Sequence, residues 1–158
     1  MLRRKFTNHK GATVVEFALV LPIFLILIFA IVDFGWYFFV SHTLEFATRE
    51  GSRFGLVGAG GGTPSERAAA VVATIKSHLL PAIDPGSSNL NIYFYPVDPG
   101  SPVDQAIQDA GGPGDYMRVR TTYTYQSLTP VDQLLGGILY LQGRTIVAET
   151  LYKNELFD

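Results

Sequence analysis

Polar and apolar residues are distributed along this chain in three regimes. From Gly11 to Val40 the text is GATVVEFALVLPIFLILIFAIVDFGWYFFV, and from Phe17 to Val32 it contains no charged side chain. A bilayer core of about 30 Å needs about 20 helical residues, so this run predicts a transmembrane helix. Its representative apolar positions are Leu19, Pro22, Phe24, Ile28 and Trp36, with Asp33 near its outer end. Pro22 is tolerable in a membrane helix and loosens the backbone hydrogen bonds around Ala18. A cleaved secretory signal is the rival reading. Its apolar stretch spans only about 7–15 residues and ends at a small-residue site. This run is longer, and no A-x-A site follows it.

The second regime continues the helix. In SHTLEFATREGSRFGLV, Leu44, Ala47, Gly51 and Phe54 recur near helical spacing. One helix over residues 12–57 would extend about 65 Å. GAGGG, from Gly58 to Gly62, ends it as a flexible link, because so many glycines hold a helix poorly.

The third regime predicts a small α+β domain over residues 63–158. Thr63-Pro64-Ser65-Glu66 is a capping box with proline at the first helical position. Ala68, Val71, Val72, Ile75 and Leu79 form an apolar stripe, and Pro81 closes that helix. Residues 89–95 alternate Leu90, Ile92 and Phe94 with Asn91, Tyr93 and Tyr95, the period of a strand. Residues 116–126 alternate again, with Met117, Val119, Thr121, Tyr123 and Tyr125 on one face. Residues 98–115 read as a loop with a turn of helix at Val103 to Asp109. Val131 to Leu141 is a short apolar segment broken by Gly136-Gly137, and Gly143 to Tyr152 reads as a last strand. The expected distal domain is therefore one helix packed on an antiparallel sheet of about three strands.

Charge adds a direction. Arg3, Arg4, Lys5 and Lys10 precede the apolar run, whereas Glu45, Arg49, Glu50 and Arg53 mix signs after it. The positive-inside rule places the N-terminus in the cytoplasm and the distal domain outside. Two explanations fit Phe34, Trp36, Tyr37, Phe38 and Phe39: an interfacial aromatic belt, or rings packed on other helices. The net charge of −2 among 158 residues gives no reason to expect a nucleic-acid partner.

Candidate chemistry is sparse. There is no cysteine, so thiol catalysis and Cys-based zinc sites are excluded. His9, His42 and His78 lie in three segments without metal-ligand spacing, so no metal is expected. No nucleophile elbow, P-loop lysine or dinucleotide fingerprint occurs, and no cofactor or catalytic residue is assigned. GAGGG lacks the Lys-Ser/Thr of a phosphate loop. Asp84 and Asp98 each open a D-P-G triplet and Asp115 follows G-G-P-G, patterns of turns. Two acids touch the apolar run. Asp33, 17 residues after Glu16 and so about 25 Å along the axis, is explained as an interfacial residue. Glu16 either snorkels to headgroups or neutralises a cation in an assembly, since a charge at the bilayer centre costs about 2.5–3.5 kcal/mol.

A basic leader, then G-A-T-V-V-E-F, then a hydrophobic helix, resembles the class III signal of type IV pilin-like proteins. V-E-F-A-L-V-L-P, together with A-T-R-E-G-S-R-F from Ala47 to Phe54, resembles the TadE-like pseudopilins of the tight-adherence (Tad, type IVc) pilus system. The resemblance implies that residues 1–11 are a leader cut after Gly11 by a prepilin peptidase. Ala12 would become the new N-terminus, and Glu16, followed by Phe17, would meet the N-terminal amine of an adjacent subunit. It implies a minor pseudopilin rather than an enzyme, serving pilus assembly or initiation, surface adhesion and biofilm formation. Its partners would be the membrane, the prepilin peptidase, other pilin or pseudopilin subunits and the Tad assembly platform. Its place would be a single pass of the bacterial inner membrane. The alternative is a single-pass anchored extracytoplasmic binding module unrelated to pili.

Overall fold

The computed structural model describes residues 10–57, 62–97, 105–137, 139 and 141–155. Six elements follow in chain order: α1 (Lys10–Leu56), α2 (Pro64–Ser77), β1 (Leu90–Pro96), β2 (Tyr116–Thr124), α3 (Val131–Leu134) and β3 (Thr145–Lys153). The sheet order is β1-β2-β3. Both pairings are antiparallel, with Leu90 opposite Tyr123 and Tyr116 opposite Lys153. The architecture is α+β, a long helix leading into a helix-on-sheet domain, as the periodicities predict. Most of the basic leader and of the glycine link, Asp98, and Val103 and Asp104 of the expected helical turn lie outside the described residues.

α1 runs unbroken through Pro22. Its second half is amphipathic. Val40, Leu44, Ala47, Gly51 and Gly55 form a buried stripe at spacings of three and four. Thr48 and Ser52 are buried on the same side, and each hydroxyl donates to the carbonyl four residues earlier, at 2.7 and 2.8 Å. That bond removes the cost of burying a hydroxyl in an apolar contact. The glycines serve close approach. A Cβ on Gly51 would collide with Ile75 Cγ1 and lie 3.2 Å from the Val71 carbonyl oxygen of α2. A Cβ on Gly55 would lie 3.0 Å from Val71 Cγ2.

α2 begins at the predicted capping box. The Glu66 N–H donates to Thr63 Oγ1 at 3.2 Å, and the Thr63 N–H donates to the Glu66 carboxylate at 3.0 Å. The Thr63 hydroxyl also donates to that carboxylate, at 2.9 Å, and this bond first, then the one from the Thr63 N–H, holds the Glu66 carboxyl below its ordinary range. α2 ends at Ser77, earlier than Pro81, where the His78 N–H turns to the Ile75 carbonyl, three residues back, at 3.1 Å. Ala68, Val71, Ile75 and Leu79 are buried as the stripe requires.

The two helices cover one face of the sheet, meeting Met117, Val119, Ile146, Ala148 and Tyr152. Tyr95 departs from the alternation. It lies on the outer face yet is buried, because the Arg118 and Arg120 guanidinium carbons sit 4.9 and 5.0 Å from its ring centroid. Residues 105–109 are not helical. The Ile107 N–H instead donates to the Phe94 carbonyl at 2.8 Å, forming an isolated bridge beside β1.

Candidate functional site in the long helix

α1 changes character at one residue. Before Asp33, residues 11–32 carry large apolar groups on every side and none is buried by the rest of the chain. At 1.5 Å per residue this stretch rises about 33 Å, one bilayer core. Within the described residues, α1 is the one helix long and apolar enough to cross a membrane. From Asp33 onward the distal domain lies against it.

Gly11, Ala12, Glu16, Phe17, Leu19, Pro22, Phe24 and Ile28 all belong to the bare stretch. Ala12 and Glu16 stand one turn apart on the same side of the helix. Among the described residues no side chain meets the Glu16 carboxylate. Among the described residues a Cβ on Gly11 would touch nothing within 4 Å, so packing against them does not require glycine there.

Asp33 and Trp36 stand apart from this set. The sequence points Asp33 to lipid headgroups; the structure gives it protein partners and leaves it 0% exposed. The Leu128 and Thr129 N–H groups both donate to its Oδ1 at 3.0 Å, and the Thr129 hydroxyl donates to Oδ2. The Tyr125 hydroxyl donates to the Asp33 carbonyl at 3.2 Å. Tyr125 also packs edge-on against Tyr37, ring centroids 5.2 Å apart. Burial, and then the nearby Asp33 charge, push the Tyr125 phenol up to about 12. Trp36 is half-buried against the core, which favours the packing explanation for this ring, whereas Phe34, Phe38 and Phe39 remain exposed.

A second carboxylate organises the same loop from within. Asp132 is buried, and its two oxygens accept the Leu139 and Gln142 N–H groups, each at 3.1 Å. The Asp33 clamp escapes sequence reasoning because its partners lie 92 to 96 residues away. The available signal was Ser127 to Val131, where Thr129-Pro130 marks a turn with free N–H groups.

The bare apolar stretch headed by Gly11 and Glu16, continuous with a small-residue helix end, is the decisive arrangement. Residues 11–53 match the model of the TadE-like protein family. The TadE-like segment thus spans the bare stretch and most of the covered one, and stops short of the distal sheet. No curated protein and no solved structure matches the chain. Asp33 lies inside the TadE-like segment, whereas the residues that clamp it lie outside.

Proposed function

We propose that this chain is a minor pseudopilin acting in assembly or initiation of a Tad-type pilus, a structural rather than a catalytic subunit. The observation that carries this is the TadE-like match over an apolar helix headed by Gly11 and Glu16. Anchored in the inner membrane with its N-terminus cytoplasmic, the chain presents Gly11 to a prepilin peptidase. Cleavage after Gly11 leaves an ammonium on Ala12. The Glu16 carboxylate of one copy then meets the ammonium of a neighbouring pilin or pseudopilin, which removes two charge penalties in lipid together and sets the axial register. The assembly platform receives the bare helix, and the distal domain faces outward, in support of adhesion. Among the described residues no side chain meets Glu16 and nothing lies within 4 Å of a Cβ on Gly11, and both observations support the scheme.

Mass spectrometry of the membrane-extracted protein tests the processing step. A chain beginning at Ala12 is expected in cells with an active prepilin peptidase, and a chain still beginning at Met1 would sink it. Glu16→Gln is expected to leave membrane insertion intact and to impair incorporation with partner pilins in a co-purification assay. Full incorporation of Glu16→Gln would favour a simple anchored binding module.

A further inference from the structure

The end of the distal domain nearest the bare helix is built unlike the rest of it. β3 starts near Asp33, where the Tyr125 N–H donates to the Arg144 carbonyl at 2.8 Å. It finishes near the helix end, where the Glu155 N–H donates to the Leu56 carbonyl at 3.0 Å. The domain therefore has a near end, at Asp33, and a far end, at Leu56. The near end is formed by the described residues of the segment QSLTPVDQLLGGILYLQG, 126–137, 139 and 141–143, and the single charged residue of that segment is Asp132. That charge is buried and bonded inward. The described surface of this segment therefore carries no charge, the exposed Arg144 following directly after it, and it displays two leucines, Leu128 at 59% and Leu134 at 72% exposure. α3, which carries Leu134, packs against α1. The far end is different, with Asp115, Lys153 and Glu155 around it.

Position turns this into a membrane question. The Leu128 N–H is held 3.0 Å from the Asp33 carboxylate, and Asp33 is the residue at which the bare stretch ends. A residue tied there stands at the level of the bilayer surface. We propose that residues 126–137 form a foot that rests on the lipid surface, with Leu128 and Leu134 entering the interfacial layer beside the transmembrane helix. This rests on the reading of residues 11–32 as the membrane span. Large apolar side chains on an uncharged surface partition into that layer, whereas charged ones at the same depth would resist it. The foot and the Asp33 clamp together would hold the domain upright against the membrane before extraction into a filament.

The absence of cysteine allows a direct test. Leu128→Cys, Leu134→Cys, Leu151→Cys and Phe24→Cys are each labelled with an environment-sensitive nitrobenzoxadiazole probe in the full chain. Each is reconstituted in phosphatidylethanolamine and phosphatidylglycerol vesicles, with or without lipids nitroxide-labelled near the headgroup or deep in the acyl chain. Leu151 is an exposed leucine near the far end of β3 and serves as the aqueous reference. Probes at positions 128 and 134 are expected to emit to the blue of the one at 151. Headgroup-level nitroxides are expected to quench them at least twofold more than it. If position 24 is quenched by deep nitroxides while 128 and 134 behave like 151, the foot is overturned and the anchor stands. If position 24 is not quenched, the span itself fails and the foot falls with it. Blue-shifted but unquenched probes at 128 and 134 would mean that protein, not lipid, covers the leucines, and would also overturn the proposal. Matching near-ultraviolet circular dichroism among the labelled chains secures the comparison.

Discussion

The two halves of α1 are both apolar and both helical, yet among the described residues only one is packed against the rest of its own chain. Residues 11–32 place Val, Leu, Ile and Phe around the whole circumference. None of the described residues buries them. From Asp33 to Gly55 the exposed side keeps its large and charged groups, while the other side carries Val40, Leu44, Ala47, Thr48, Gly51, Ser52 and Gly55. Uniform bulk suits a fluid hydrocarbon surround, which has no fixed shape to match. A narrow strip of small residues suits a rigid neighbour, because it lets two backbones approach. The side-chain size on one face, more than hydrophobicity, separates the membrane half from the packed half.

Three changes would break or sharpen that contrast, in order of size. Gly51→Leu places a side chain where Ile75 and the Val71 carbonyl already sit. Expected is a loss of about 3 kcal/mol or more in urea unfolding of the full chain in micelles. Leucine at Gly35, where a Cβ meets nothing within 4 Å, is the control and should not destabilise. Equal losses at both positions would remove the distinction between the faces. Next, Asp33→Ala strands the Leu128 and Thr129 N–H groups and should cost about 2–3 kcal/mol. Asp33→Asn keeps one carbonyl acceptor and should cost less. Hydrogen exchange at those two amides reads the effect, which should leave the β1 amides unchanged. The smallest effect concerns alkaline pH. Tyr125 titrates at about 12 in the folded chain and near 10 when unfolded. The folded state thus keeps a proton that the unfolded state loses. Its contribution is complete below pH 10 and is lost as pH rises to about 12, about 1 kcal/mol being gone by pH 11. Tyr125→Phe should flatten that part of the stability profile, and an unchanged profile would place the phenol in water.

Local patterns made much of this fold legible. The Thr63 to Glu66 box announced α2, and the alternation from Met117 to Tyr125 announced β2 and its buried face. Misjudged features depended on distant partners. Tyr95 belongs by parity to the wetter face, and Arg118 and Arg120 on the next strand explain its burial. Ile107 sits in a segment with helical propensity, yet its N–H found the edge of β1. Asp33 next to an apolar run resembles an interfacial residue, because the loop that binds it lies far along the chain. The proposed roles of Ala12, Glu16 and Phe17 rest on their order in the sequence, since their proposed partners lie in another molecule.

Asp33 and Leu56 also mark the two ends of a mechanical coupling. The distal domain is bonded to α1 at the near end through Leu128 and Thr129 and at the far end through Glu155, with β3 running alongside between them. Tension along the helix would therefore load these attachments in shear, together with the packed stripe between them, rather than peel them open one at a time. A subunit built this way carries its domain as a splint on the rod, and the rod, when pulled, brings the domain with it.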